Sequence, residues 1–171
     1  GIWEDATFGN KRYVQDQGEN LYKRSVYTFW RRIIGPTMFF DSPARQYCNV
    51  KLSRTNAPLH ALATLNDTTY VEASRVLAQR ELLATTNKDE VVIENIFRSI
   101  LARKPSNEEA AILSAAVKRY LDAFEKDAEA AKKFIAVGKM PASTAIDSKK
   151  LAAFGTLALS LFNLDEALNK E

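Results

Sequence analysis

Residues 89–103 read Asp89-Glu90-Val91-Val92-Ile93-Glu94-Asn95-Ile96-Phe97-Arg98-Ser99-Ile100-Leu101-Ala102-Arg103, and this stretch decides the fold class. Val92, Ile93, Ile96, Phe97, Ile100 and Leu101 recur at steps of three and four residues, which puts them on one face of a helix. The same period continues on both sides. Towards higher numbers, Pro105 and Ser106-Asn107-Glu108-Glu109 stop one helix and cap the next. Ile112, Leu113, Ala116, Val117, Tyr120, Leu121 and Phe124 are the expected buried face of that next helix. Glu125 to Val137 reads as an alanine-rich continuation in which Phe134 and Ile135 pack, ended by Gly138 and Pro141. Asp147 caps a last helix carrying Leu151, Phe154, Leu157, Ala158, Leu161 and Phe162, and Asn163 to Leu168 is expected to fold back on the bundle.

Towards lower numbers, Thr85-Thr86-Asn87 is a break. Thr69-x-x-Glu72 has the form of a capping box for a helix running to about Ala84. Asn66-Asp67-Thr68-Thr69 interrupts it from an earlier helix that Thr55 and Asn56 cap, with Pro58 in its first turn. Residues 35–54 read as a long loop, opened by Gly35-Pro36 and turned by Asp41-Ser42-Pro43. Leu21, Tyr22, Val26, Phe29, Trp30 and Ile33 mark a first helix over 18–34, and residues 1–17 an irregular arm. No stretch of strand period appears. The expected fold is all-α: one domain over 1–171, an irregular bundle of about five to six helices with a long ordered loop between the first two. Residues 55–171 carry the bundle proper.

A chain of 171 residues with 46% hydrophobic and 26% charged residues has the composition of a soluble globular domain. The net charge of +3 is uneven. Residues 1–54 hold nine Lys and Arg against five Asp and Glu, whereas residues 55–171 hold fifteen against sixteen. The basic excess in the first third suits acidic partners. A nucleic-acid surface is not expected, because the aromatic residues share faces with the apolar stripe. No apolar run reaches the roughly 18 residues of a membrane span. Cys48 is the single cysteine, so neither an internal disulfide nor covalent haem attachment is expected.

The chemically suggestive residues are the guanidinium, carboxylate and amide groups interleaved with the apolar stripe: Arg24, Asp41, Arg45, Arg54, Asn56, Asn66 and Asp67. Planar guanidinium groups grip carboxylates bidentately, so Arg24 or Arg54 with Asp41 or Asp67 could clamp the long loop to the helices. The same groups suit an acidic sugar or a sulfate. Asp41, Asn66, Asp67 and His60 lack the alternating spacing of a calcium loop and read as caps and turn residues. Asp41, Asp67 and Glu72 could supply a glycosidase-like carboxylate pair. His60 with Met38 or Met140 offers noncovalent haem ligands, and Cys48 with His60 a nucleophile and base. No catalytic, metal or cofactor-binding residue is assigned from these patterns.

Six motifs together resemble one family. They are Leu21-Tyr22-Lys23-Arg24-Ser25-Val26-Tyr27-Thr28-Phe29-Trp30-Arg31-Arg32, Phe40-Asp41-Ser42-Pro43-x-Arg45-x-x-Cys48, Arg54-Thr55-Asn56-x-Pro58-Leu59-x-Ala61-Leu62, Leu65-Asn66-Asp67, Arg103-Lys104-Pro105-Ser106-x-x-Glu109 and Phe162-Asn163-Leu164-Asp165-Glu166. The chain resembles the C-terminal domain of unknown function of large planctomycete proteins that often carry cytochrome c modules. The resemblance implies a domain that begins before Gly1, export to the periplasm or beyond, and a cytochrome-linked or polymer-handling setting. Any haem would then belong to upstream modules rather than to this chain. His60 stands where the family more often has glutamine. The expected role is a non-catalytic interaction module that contacts upstream domains of its own polypeptide or a protein partner. The alternative is a polysaccharide-binding or polysaccharide-degrading domain with a cleft near Arg45, Arg54 and Asp67.

Overall fold

The computed structural model describes residues 18–23, 58–84 and 88–168. Of these, 79% are helical, and no strand is present among them. The all-α expectation holds. In the first of two compact units, residues 1–57, a short 3-10 helix spans Gly18–Tyr22; the rest of the expected first helix, the long loop and the arm lie outside the described residues.

The described residues of the second unit form seven α-helices: α1 Pro58–Asn66, α2 Thr68–Ala84, α3 Asp89–Leu101, α4 Asn107–Lys126, α5 Ala128–Ile135, α6 Ser148–Phe162 and α7 Asp165–Leu168. At its centre lies α6, which buries nine of its residues from Leu151 to Leu161 and packs on α2, α4 and α5 in turn. A helix apolar on all sides belongs inside a bundle, because no face of it gains by meeting water. The core joins Leu151, Phe154, Leu157, Ala158 and Leu161 of α6 to Val92, Ile93, Ile96 and Phe97 of α3 and to Ala116 and Val117 of α4. Gly155 allows a close approach: a Cβ there would stand 2.7 Å from Phe134 Cε1 of α5.

Local chemistry sets most helix ends. Ser106 and Glu109 form the expected capping box, Ser106 Oγ accepting from Glu109 N and Glu109 Oε2 accepting from Ser106 N. Asp147 caps α6 by accepting from Lys150 N at 3.1 Å. α3 ends on Ala102 at φ 58°, a left-handed conformation that costs a non-glycine residue about 1 kcal/mol.

Three details differ from the sequence reading. The capping box at Thr69 does not form: Asp67 Oδ1 accepts from Thr69 N at 2.8 Å and opens α2 itself, and Glu72 points elsewhere. The helix expected to run on through Glu125–Val137 breaks at Asp127 (φ −130°, ψ 81°), whose carboxylate caps α5 by accepting from Ala130 N. Aspartate competes for main-chain N–H groups, so it favours such a break. Ile112, expected in the core, is 64% exposed, because one residue step from Leu113 turns the side chain by about 100°.

Candidate functional site

Three groups of polar residues stand out in the described unit. At the corner between α1 and α2, Asn66 Nδ2 donates to Leu62 O at 2.7 Å and Asp67 caps α2, both on the surface. The nearby phenol of Tyr70 is pushed up by burial and by the Asp67 carboxylate. Asn66 and Asp67 thus make local main-chain bonds. Arg24, Asp41, Arg45, Arg54, Asn56 and Cys48 lie outside the described residues.

A second group was not expected. On α2, Glu72 and Arg75 are both 0% exposed, and Gln79 lies seven residues beyond Glu72, so the three share one helix face. Each reaches the segment that follows α5. Glu72 Oε1 accepts from Lys139 N and Met140 N, both at 2.6 Å. Arg75 Nη2 donates to Met140 O at 2.6 Å, and Gln79 Oε1 accepts from Ser143 N at 2.9 Å. Gly138 makes room for this arrangement. Its φ of 88° is open to glycine, and a Cβ there would run into the Glu72 carboxylate. An α2 side-chain row thus orders residues 138–143, which lack helical structure of their own. A buried carboxylate needs hydrogen-bond donors, and main-chain N–H groups supply them here.

This row falls on the apolar stripe of Val71, Ala78 and Leu82, and that was the available signal. A Glu and an Arg three residues apart within a buried stripe need partners from elsewhere in the fold.

The third group centres on Arg103, just beyond α3. Its guanidinium donates to Glu109 through Nη1 and Nη2 at 2.9 and 2.8 Å, and to Glu166 through Nε and Nη2 at 2.7 and 2.8 Å. It also lies 4.9 Å above the Phe97 ring. Two of the sequence motifs, Arg103-Lys104-Pro105-Ser106-x-x-Glu109 and Phe162-Asn163-Leu164-Asp165-Glu166, therefore meet in one ion-pair cluster. The Arg103 hydrogen bonds, followed by the Ser106 N–H, hold the Glu109 carboxyl down to about 2. Hydrogen bonds to Arg103 lower the Glu166 carboxyl too, against desolvation and the like charge of Glu109.

A hollow of 160 Å³ beside Leu82, Lys88, Asp89, Val92, Ile146 and Lys150 falls short of the roughly 300 Å³ at which small-molecule sites begin. The Lys150–Asp89 ion pair at 2.7 Å lies at its edge. Among the described residues, no three of His, Cys, Asp and Glu stand together as metal ligands would, and no helix is long and apolar enough to cross a membrane.

A family model described as PSD1, a protein of unknown function (DUF1553), matches residues 4–117. The chain belongs to this family. The DUF1553 match includes Glu72, Arg75, Arg103 and Glu109, whereas Met140 and Glu166, their partners in space, lie beyond it. No curated protein and no solved structure matches the chain.

Proposed function

We propose that this DUF1553 chain is a non-catalytic helical module of a larger exported bacterial protein, with a structural role towards neighbouring domains of that polypeptide or towards a protein partner. The observation that carries the reading is the Glu72, Arg75 and Gln79 row. Glu72 and Arg75, the most deeply buried charged groups of the described unit, and Gln79 beside them each bind main chain of the same unit and so support a structural role. The planctomycete and cytochrome c setting rests on the motif resemblance, and in that setting any haem sits on upstream modules.

The test has two arms. The chain and its full-length parent are applied to a glycan array and to soluble polysaccharides, and the parent is cross-linked and mapped by mass spectrometry. The expected result is no glycan binding or cleavage by either, with cross-links joining the surface of 58–168 to other domains or to a co-purifying protein. Saturable glycan binding by the chain, abolished by Arg45→Ala or Arg54→Ala, would overturn the proposal in favour of a polysaccharide domain.

A further inference from the structure

We infer that residues 164–168 form a strap, hinged at Asn163 where Thr64 Oγ1 donates to Asn163 Oδ1 at 2.9 Å, that opens as a unit of its own, latched by the Glu166 contact with Arg103. Unlike every other helix of the unit, α7 has only four residues and buries none of them fully. An isolated turn of that length does not hold its own conformation, since helix nucleation is unfavourable. Its internal bonds are few: Ala167 N and Leu168 N both donate to Leu164 O, at 3.0 and 3.3 Å.

What holds it in place is therefore largely external: Asp165 has a contact of its own, and Glu166 has another. Arg103 grips Glu166 through two nitrogens, while Glu166 is 48% exposed and Arg103 41%. The two carboxylates on Arg103 are not equivalent. Glu109 also accepts from Ser106 N as part of the α4 capping box, so it stays in position whether or not the strap is present. Glu166 has no such second bond, so the strap side is where the cluster parts. With Glu166 gone, Arg103 keeps Glu109 and its place over Phe97. Opening therefore removes one partner from the guanidinium and leaves the cap and the core beneath it intact. Local openings of this kind, below the free energy of global unfolding, are usual for segments with few buried contacts.

The inference concerns motion within the described unit and is independent of the functional proposal. It is tested by residue-resolved amide hydrogen exchange on the whole chain, wild type against Glu166→Gln, with urea unfolding of both as the measure of global stability. The expected result is exchange at Ala167 and Leu168 faster by about five-fold in the variant, the upper end for an exposed ion pair. The amides of Leu157 and Ala158 in α6 should keep their wild-type rates. Two results overturn the inference: unchanged exchange at Ala167 and Leu168, or acceleration shared by strap and α6, which would make the strap part of the global unit.

Discussion

A single carboxylate, Glu72, does more for this fold than any lone charge on its surface. Its Oε1 serves two main-chain N–H groups in a segment 67 and 68 residues away. Glu72→Ala should destabilise the unit by about 3 kcal/mol, because donors that lose a buried acceptor bear the desolvation cost. Glu72→Gln, which keeps an acceptor oxygen, should lose less; urea midpoints measure both. Gly138→Ala brings a methyl group into that carboxylate at φ 88° and should cost more than about 2 kcal/mol. Ala102 offers the opposite case. Relief of its left-handed strain, about 1–2 kcal/mol, exceeds the 0.4–1 kcal/mol that glycine adds to unfolded-state entropy. Ala102→Gly should therefore raise stability by about 0.5 kcal/mol. Glu109 supplies a pH signature. Its carboxyl is held at about 2 against an ordinary 4.5, so its contribution is complete above 4.5 and lost as pH falls towards 2. Arg103→Met should flatten the fall of urea midpoint with acid across that window.

Helix ends show what was readable in the chain and what was not. The Ser106–Glu109 box and the Asp147 cap were legible because donor and acceptor lie within three residues, and α3 because its period needs no partner to be recognised. Thr69-x-x-Glu72 carries the same local signature, yet Glu72 is drawn off by Lys139 and Met140. A short-range pattern loses to a long-range partner that sequence spacing cannot reveal. The Arg103–Glu166 contact was hidden for the same reason, though both halves had been noticed as motifs. Asp127 was read as helix interior because its neighbours are good helix formers, and its capping capacity prevails instead. Asp127→Ala should cost about 1 kcal/mol through the lost cap and raise helicity at the α4–α5 junction, seen as slower amide exchange at residues 127–130.

For the unit as a whole, α6 sets the stability. Leu157→Ala, 1% exposed in wild type, should cost about 3 kcal/mol in transfer and cavity terms, read from the far-UV transition. Trp3 and Trp30 both lie before Pro58, so their fluorescence follows the other part of the chain. One domain over 1–171 predicts that the fluorescence and far-UV transitions coincide.

The position of α6 along the chain also bears on how the protein is made. Synthesis delivers α1 to α5 before the helix they surround, so they can pack on one another but lack their main partner until residues 148–162 leave the ribosome. Nascent chains in that interval are open to mispairing, so a helper that shields them suits a fold whose centrepiece arrives after its walls.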